Sequence, residues 1–392
     1  MSSPRVVIIG GGLAGSAAGI HLARAGVAVT LLERDAAPVH KVCGEFLSEE
    51  ALELLSGLGV SVDDTGAERI TTLRVSKRST SLQTSLPFRG ASLSRRCLDE
   101  LLLQHFASLG GHLLRDAYVT SITPEAGEWS VQLRSGESMR AANIMVATGK
   151  HDLPGMPRPR GVQNDLVGFK QYLSLAPEQT RKLTGAIELH LFPGGYAGLQ
   201  LVEDHTANLC CVVRARHLGG GLQRAELLLE RMRQGSALLR ERLQGSTMVE
   251  PRPFTVAQIP YGLVQSETQE GLWRLGDQAA VIPSFTGDGM SMALLSGIFA
   301  AASFLEGRRS TEFQSEYAAA VRRQVAIATW ISRQMVHSLP QTLAATLLRL
   351  RPQLVGSIAL QTRLSKPILR RTLQALAERP TLTSGPAIAR RA

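Results

Sequence analysis

A run of glycines between a short apolar strand and an alanine-rich helix constrains the fold most. Residues 6–9 read Val-Val-Ile-Ile, a continuous β-branched run typical of a strand buried on both faces. Gly10, Gly12 and Gly15 follow in the spacing G-x-G-x-x-G, and the next residues predict a helix through Arg24 and then a second buried strand. Strand, turn, helix and strand in this order form a βαβ unit, which requires a parallel sheet.

Each glycine of the turn has its own role in binding the pyrophosphate of a dinucleotide. Gly10 permits the tight turn, Gly12 lets the backbone approach the pyrophosphate, and Gly15 lets the helix pack closely on the strand. The first helical turn, which contains Leu13 and Ala14, offers free N–H groups and the positive end of the helix dipole to the phosphates.

An acidic residue after the second strand, residues 27–32, narrows the choice of dinucleotide. Glu33 lies 23 residues after Gly10, where its carboxylate can accept hydrogen bonds from a ribose. A carboxylate there disfavours the 2′-phosphate of NADP, so the motif favours the adenosine diphosphate half of FAD or NAD. The adjacent Arg34 is included among the candidate cofactor-binding residues.

A second strand and glycine element distinguishes FAD from NAD. Residues 272–275 predict a buried strand, and Gly276-Asp277, Pro283 and the run Gly287-Asp288-Gly289-Met290 follow it. These motifs resemble the second FAD fingerprint of the aromatic-hydroxylase and geranylgeranyl-reductase flavoproteins. The resemblance implies that Asp277 binds the ribityl chain and that the helix beginning near Gly289 points its N-terminus at the flavin. The cofactor-binding candidates from this element are Asp277, Pro283, Gly287, Gly289 and Met290.

Two further segments are similar to the same family, so the resemblance covers roughly residues 1–310. The segment RRCLD at residues 95–99 resembles the family's R-x-x-[LF]-D motif, which implies that Arg95 reaches FAD; a solvated helix arginine is the alternative. Ala147-Thr148-Gly149 resembles the strand-end motif that packs against adenine, which implies a binding role for Gly149. Hydroxylases of the family usually continue with Asp-Gly, whereas this chain continues with Lys150. The difference argues against membership in the hydroxylase branch. It also leaves open whether NAD(P)H is the electron donor.

A cysteine segment and a tyrosine segment point to the reductase branch of the family. The segment HKVCGE at residues 40–45 is similar to the Cys-Gly segment of geranylgeranyl reductases, which implies a place beside the isoalloxazine ring. Gly44 allows close backbone approach, and Cys43 is a packed structural residue with a catalytic thiol as the alternative. Residues 192–196 resemble that branch's Pro-x-Gly-Tyr segment, although the usual Trp is replaced by Gly198. Tyr196 is therefore a candidate wall of the substrate pocket.

The chain of 392 residues is longer than one hydrophobic core usually supports. In its middle third the hydrophobic pattern differs from that of the N-terminal βαβ unit. Short alternating strands after residue 160 predict an antiparallel sheet. The predicted fold class is α/β, with a Rossmann-like FAD-binding domain interleaved with a smaller antiparallel-sheet substrate domain, plus a helical C-terminal tail. The predicted FAD-binding domain comprises residues 1–75, 92–152 and 255–310, the substrate domain residues 76–91 and 153–254, and the C-terminal region residues 311–392.

Two predictions concern helices outside the FAD motifs. Residues 221–243, rich in Leu and Arg, predict one helix. The C-terminal region beyond Arg308 predicts helices interrupted by prolines. These prolines are Pro340, Pro352, Pro367 and Pro380.

The net charge of +10 is concentrated in the tail, where residues 308–392 contain 14 Lys/Arg and three Asp/Glu. Leu343, Leu347 and Leu350 lie on one helical face near several arginines, a pattern that suits peripheral contact with anionic lipid. A helical cap packed on the substrate domain is the alternative. Nucleic acid is not an expected partner, because no aromatic residues are interleaved with the charge.

The cysteines and the hydropathy of the sequence indicate the cellular compartment in which the protein is expected. The four cysteines have no spacing suited to zinc or to a disulfide framework, so no metal is expected and a reducing cytoplasm is the predicted compartment. The apolar run at residues 289–305 is shorter than the roughly 20 residues that a spanning helix needs. The predicted location is cytoplasmic, with peripheral membrane contact through the basic tail.

The chemistry is expected to reside in the flavin, because the sequence contains no Ser-His-Asp, metal-ligand or paired-carboxylate pattern. The predicted function is FAD-dependent oxidation or reduction of a hydrophobic small molecule, of polyprenyl, polyketide or aromatic type. Double-bond reduction and NAD(P)H-dependent hydroxylation both remain open at this point. A non-catalytic flavin-binding or electron-transfer partner is the alternative class.

Overall fold

The structure is a computed structural model that describes residues 6–218, 224–351 and 361–378. Its strands are β1 (Val6–Ile9), β2 (Val29–Leu32), β3 (Phe46–Leu47), β4 (Glu68–Lys77), β5 (Thr80–Ser92), β6 (His112–Leu114), β7 (Val119–Glu125), β8 (Glu128–Leu133), β9 (Ser138–Ala141), β10 (Asn143–Val146), β11 (Leu166–Ser174), β12 (Ala186–Phe192), β13 (Gly195–Leu201), β14 (Ala207–Arg214), β15 (Thr247–Met248), β16 (Phe254–Ala257) and β17 (Leu272–Arg274). Its α-helices are α1 (Leu13–Arg24), α2 (Glu49–Gly57), α3 (Arg95–Ser108), α4 (Pro177–Leu183), α5 (Arg224–Gly235), α6 (Ala237–Arg242), α7 (Gly289–Leu305), α8 (Ser310–Met335), α9 (Ser338–Leu350) and α10 (Lys366–Ala377).

The first sheet is parallel, with the strand order β17-β10-β1-β2-β6. Its central strand β1 is apolar at every position because both faces are covered. Val6 and Ile8 belong to the core formed with α1, α3 and α7, whereas Val7 and Ile9 belong to a second core formed with the three-stranded sheet β7-β8-β9. The predicted βαβ unit and its parallel sheet are confirmed.

Helix α7 crosses α1 at a point where neither helix has room for a larger side chain. A Cβ atom on Gly297 would overlap the carbonyl oxygen of Ala14 and lie 3.0 Å from the amide nitrogen of Ala18. The small residues of α7 therefore serve close helix packing within the core. Among the described helices, none combines the length and hydropathy that crossing a bilayer requires.

The second sheet runs β15-β11-β14-β13-β12-β4-β5-β3, with β16 added beside β11. Its pairs are antiparallel except β12 with β4. The predicted boundary between residues 75 and 76 falls inside β4, which pairs with β12 from Thr72 to Lys77. Strands β3, β4 and β5 thus carry the chain from the FAD-binding region into this second sheet, called here the substrate sheet after its predicted role.

The single helix predicted over residues 221–243 is wrong over the part that the structure describes, because Ser236 separates α5 from α6. The Ser236 side chain accepts a hydrogen bond from the Leu239 amide at 3.1 Å, so it caps the N-terminus of a new helix. Gly235 precedes it, and a Cβ there would lie against the Phe192 backbone. Residues 221–223 lie outside the described residues.

Two of the four C-terminal prolines begin helices rather than interrupt them. Pro340 lies in the first turn of α9 and Pro367 in the first turn of α10, where a missing N–H leaves no helical hydrogen bond unmade. Pro352 and Pro380 lie outside the described residues. Helix α9 contacts β4 and β5, whereas α10 packs on α2 and α7 of the FAD-binding region.

We predict that Gly297→Ala destabilises the protein, although alanine is the better helix former. Helix propensity favours alanine by about 1 kcal/mol, but the added Cβ overlaps backbone atoms of α1, and forced overpacking costs roughly 1–3 kcal/mol. Urea unfolding followed by circular dichroism measures the change. The control is Gly198→Ala, whose Cβ would meet only the Cys210 carbonyl oxygen at 3.9 Å. A gain in stability at Gly297 would refute the close crossing of the two helices.

Candidate functional site

A cavity of about 640 Å³ lies beyond the carboxyl ends of β1, β2, β10 and β17. Ligands of open α/β sheets bind at this edge, and the volume is within the roughly 300–1,000 Å³ of ligand pockets. The glycine turn after β1 and the segment after β10 both line the cavity. Of the predicted cofactor residues it is lined by Gly10, Gly12, Glu33, Arg34, Arg95, Gly149 and Asp277.

The glycine turn has the geometry that its motif predicts. Gly10 has φ +104°, and a Cβ there would lie 2.5 Å from the Ala147 carbonyl oxygen. A Cβ on Gly15 would overlap the Gly10 carbonyl oxygen, so only glycine lets α1 approach β1 this closely. Leu13 and Ala14 are buried in the first turn of α1. Gly12, the N-cap residue of α1, lines the cavity, so the N-terminus of the helix faces it.

Two cationic side chains face Gly12. A Cβ on Gly12 would lie 3.3 Å from Arg95 Nη2 and 4.0 Å from Lys41 Nζ. Asp99 holds both cations, since it accepts two hydrogen bonds from Arg95 at 2.7 and 2.9 Å and one from Lys41 at 2.7 Å. Two cations paired with one carboxylate leave a net positive charge beside the helix N-terminus, which fits a pyrophosphate.

The ionisation of Asp99 supports this arrangement. Burial raises the pKa of Asp99, but Arg95 and Lys41 outweigh it, and the pKa lies below its ordinary value. Arg95 is mostly buried, so it differs from the solvated helix arginine considered as an alternative. Lys41 was not among the sequence candidates, because no motif marked it; only its place beside the Cys-Gly segment could have drawn attention to it.

Glu33 is buried and stabilises the glycine turn through a hydrogen bond to its backbone. Its Oε2 accepts a hydrogen bond from the Gly11 amide at 2.8 Å, and its Oε1 accepts one from the Asp35 amide at 3.1 Å. A carboxylate has about four acceptor positions, so lone pairs remain for a ribose. Arg34 lies at the cavity rim, partly exposed, with its Nε 3.6 Å from the Asp35 carboxylate.

The segment after β10 and the segment after β17 are joined by one side chain. Gln278 donates hydrogen bonds from Nε2 to the carbonyl oxygens of Gly149 at 2.9 Å and His151 at 3.0 Å. Gly149 has φ +62°, and Asp277 lines the same cavity. The first and second glycine-bearing elements therefore meet at one site, although more than 260 residues separate Gly10 from Asp277.

The remaining fingerprint residues lie beside the Cys-Gly segment rather than in the cavity lining. A Cβ on Gly287, which has φ +74°, would lie 2.8 Å from the Phe46 ring, so the turn at Gly287 and β3 are direct neighbours. Gly44 and Gly289 share one property, because a Cβ at either position would meet nothing within 4 Å. Pro283 begins the turn, and Met290 is buried in the first turn of α7. The backbone at Gly44 and at Gly289 is therefore unobstructed, and this geometry suits a planar ring that packs against both segments.

A buried polar network of Glu45, Lys170, Tyr172 and Asn208 was not found from the sequence. The fully buried carboxylate of Glu45 pairs with Lys170, accepts Tyr172 Oη–H at 2.7 and 2.9 Å, and accepts Asn208 Nδ2–H at 2.9 Å. The Arg95 amide donates to it at 2.7 Å. Burial raises the pKa of the Glu45 carboxyl, and Lys170 and these donors oppose that rise.

The same network fixes the Cys-Gly segment on the second sheet. The Gly44 carbonyl oxygen accepts hydrogen bonds from Gln200 at 2.6 Å and Asn208 at 3.1 Å. Cys43 is partly buried, and its Sγ accepts the Glu45 amide at 3.3 Å. This contact fits a packed cysteine, and the alternative of a catalytic thiol stays a prediction.

Tyr196 lies under the turn at residues 284–286 instead of lining the described cavity. Its hydroxyl is 3.0 Å from Ser284 Oγ, and its ring meets Phe285 edge-on at 6.0 Å between centroids. The side chain is buried. Tyr196 thus joins the substrate sheet to the second FAD element, and its role as a substrate contact stays a prediction.

Asp288, at the N-cap position of α7, is a titratable residue of the second FAD element to which the sequence motif assigned no role. It is fully buried, and its Oδ2 has no hydrogen-bond partner among the described residues. Burial raises the pKa of Asp288 to about 8. The native protein therefore holds this carboxyl in its neutral form through most of the physiological range.

The fold and the site together define an FAD-binding flavoprotein. The family profile described as FAD binding domain matches residues 4–146. Menaquinone reductase of Mycobacterium tuberculosis is 27% identical over 314 residues, which is 76% of each chain. Protein FixC of Escherichia coli K12 is 24% identical over 366 residues, or 85% of this chain and 84% of that one.

Solved structures show the same fold at low identity. The flavin-dependent brominase Bmp2 superposes with a TM-score of 0.75 at 16% identity, covering 95% of this chain and 98% of that one. Together these similarities support an FAD-dependent oxidoreductase of the aromatic-hydroxylase-like superfamily. The resemblance stated from the motifs is confirmed, and FAD is the supported cofactor.

We expect Lys170→Met to destabilise the protein strongly. The substitution leaves the Glu45 carboxylate buried without its cation, and breaking a buried pair in this way costs about 3–5 kcal/mol. Adding Glu45→Gln in the same chain removes the unpaired charge and should recover about half of the loss. Equilibrium urea unfolding of the single and double variants measures the coupling. The control is Lys182→Met at an exposed ion pair, which should stay near wild type; equal losses in both lysine variants would contradict the network.

The raised pKa of Asp288 predicts a pH-dependent stability. The unfolded carboxyl loses its proton near its ordinary pKa of 3.8, whereas the native one keeps it up to about 8. Unfolding therefore releases a proton in this window, and the free energy of unfolding falls as pH rises, by up to about 1.4 kcal/mol per pH unit. Asp288→Asn should flatten the decline between pH 5.5 and 7.5 in urea titrations, while exposed Asp64→Asn keeps it. An unchanged slope in Asp288→Asn would show that this group does not titrate there.

Proposed function

We propose that the protein is an FAD-dependent reductase that acts on an apolar quinone-type or polyprenyl acceptor. The observation that carries the proposal is the Gly44 segment, whose Cα face is open while its carbonyl is held from behind by Gln200 and Asn208. A rigid, unobstructed backbone lets a planar acceptor or flavin ring approach closely. The named activity of the Mycobacterium relative, menaquinone reductase, supports the same substrate class.

The residues divide into two groups with different tasks. Lys41, Arg95 and the α1 N-terminus bind the pyrophosphate, and Asp277 orients the ribityl chain. Glu45 and its partners keep the Cys43–Gly44 backbone in place through hydrogen bonds to the second sheet. A bound flavin supplies the hydride transfer, so the protein needs to provide position, electrostatics and exclusion of water.

The segment after β10 supports reduction over hydroxylation. Lys150 stands where the hydroxylases usually have Asp-Gly, and its Nζ donates to the Val42 carbonyl oxygen at 2.6 Å. Arg158 ties the same segment to the Asp277 carbonyl oxygen at 2.8 Å. Hydrogen bonding by Lys150 thereby connects this part of the cavity rim to the residue before Cys43. NAD(P)H is the electron donor that we propose for the first test.

Hydroxylation of an aromatic substrate is the second candidate. The motifs near Gly10, Arg95 and Asp277 are common to both branches of the superfamily, so they support either reaction. The two reactions differ in their need for oxygen and in their product: reduction adds two hydrogen atoms to the acceptor, whereas hydroxylation adds one oxygen atom.

The experiment compares turnover with and without oxygen. Purified flavin-loaded protein receives NADH or NADPH and either menadione or a menaquinone with a short prenyl tail, and mass spectrometry of the products follows. We expect anaerobic turnover with the prenylated acceptor and a gain of two hydrogen atoms. Turnover only in oxygen, with an oxygenated product, would establish hydroxylation instead. Flavin reduction without any product from either acceptor would favour an electron-transfer partner.

Gly44→Val tests the observation that carries the proposal. Gly44 is outside the left-handed region and a Cβ there would meet nothing within 4 Å, so the backbone accepts a side chain that projects into the open space. We expect acceptor turnover to fall at least about tenfold, equivalent to about 1.4 kcal/mol in the barrier. Flavin content is measured alongside, because a matching loss of flavin would place the flavin ring, and not the acceptor, against Gly44. Gly198→Ala is the control, and unchanged turnover in Gly44→Val would place the acceptor elsewhere.

A further inference from the structure

We propose that helix α9 docks the protein on an anionic lipid surface, a property that goes beyond the proposed reaction. Four leucines of α9 are exposed, which is unusual for so many large apolar side chains on one short helix. Their exposed fractions are 80% for Leu339, 71% for Leu343, 51% for Leu347 and 74% for Leu350. At 3.6 residues per turn they lie within about 80° of one another, so they form a single stripe, called here the leucine stripe.

The opposite face of α9 fixes the direction of the stripe. Gln341 is buried, and its Nε2 donates to the carbonyl oxygens of Phe192 and Gly195, both at 3.0 Å. Lys77 Nζ donates to the Ser338 carbonyl oxygen at 2.6 Å and to Thr342 Oγ1 at 2.7 Å. The helix is therefore anchored on the substrate sheet with its leucines directed outward.

The positive charge of the residues around α9 indicates an anionic partner. Residues 317–351 contain five Lys/Arg and no Asp/Glu, whereas Arg363 and Arg371 further along the chain are paired with Glu50 and Glu316. Arg349 in the last turn of α9 and Arg351, the residue that follows the helix, are both exposed near the leucine stripe. An amphipathic helix with an apolar face and basic flanks lies in the interface of anionic membranes. Trp330 on the preceding helix is also exposed, at 65%, and indole rings favour the headgroup level.

A second copy of the chain is a poorer occupant of the same surface. Pairing two leucine stripes would bring two acid-free basic segments together, and like charges at close range repel. A phospholipid headgroup layer instead supplies the opposite charge. Helix α9 contacts the substrate sheet through the hydrogen bond from Gln341 to Gly195, the residue before Tyr196. Docking of α9 would therefore bring the substrate sheet to the membrane surface, where apolar quinones reside.

The test measures co-sedimentation of the full-length, flavin-loaded protein with vesicles. Vesicles of phosphatidylcholine alone are compared with vesicles containing phosphatidylglycerol, each at low and high salt. We expect binding to the anionic vesicles only, reduced at least tenfold by high salt. Leu343→Gln with Leu347→Gln should abolish binding without changing the flavin spectrum. Arg349→Gln with Arg351→Gln should weaken it severalfold.

The matched control is Leu227→Gln on α5, because Leu227 is also exposed, at 56%, and this variant should bind like wild type. Equal recovery with neutral and anionic vesicles, or full binding by the leucine double variant, would overturn the proposal. Light scattering that shows a dimer dissociating in the leucine double variant, with no vesicle binding by wild type, would assign the stripe to a second copy. If the leucine double variant loses its flavin, Leu343→Gln alone and the arginine variant decide the outcome.

Discussion

Close backbone approach at three glycines underlies the whole arrangement. Gly10 and Gly15 let the first strand turn directly into α1, and Gly297 lets α7 cross α1 at backbone distance. A methyl group at any of these points would overlap a carbonyl oxygen, and well-packed interiors do not relax by that amount without cost. The crossing joins the N-terminal and C-terminal FAD motifs, so the cofactor site exists because these residues have no side chain.

Two buried carboxylates organise the charges around that backbone frame. Asp99 holds Arg95 and Lys41 beside the glycine turn, and Glu45 holds Lys170 beneath the Cys-Gly segment. Arg95 connects them, because its guanidinium pairs with Asp99 while its amide donates to Glu45. The glycine turn and the Cys-Gly segment are therefore linked through Arg95. A ligand that orders one end would be expected to stabilise the other.

Much of the architecture could be predicted because its signals are local. The strand of residues 6–9, the G-x-G-x-x-G turn and the helix beginning at Gly289 depend on short-range periodicity and on glycine spacing, and all appear in the structure. The prediction of a single helix over residues 221–243 is wrong for a local reason as well. Ser236 acts as an N-cap and begins a new helix within a run of good helix formers. Pro340 and Pro367 lie in first helical turns where the sequence pattern predicts interruptions, because that pattern alone does not show where a helix begins.

By itself the sequence determined the class of cofactor and the parallel nucleotide-binding unit, because these follow from residues that are adjacent or regularly spaced along the chain. Only the tertiary structure decided the partners of Glu45, the second cation at Asp99 and the outward direction of the leucines of α9. Those features join residues far apart in the chain, such as Lys41 with Asp99 and Glu45 with Lys170, or depend on which helix face the substrate sheet covers. Burial and pairing across such distances are set by packing, which no local pattern records.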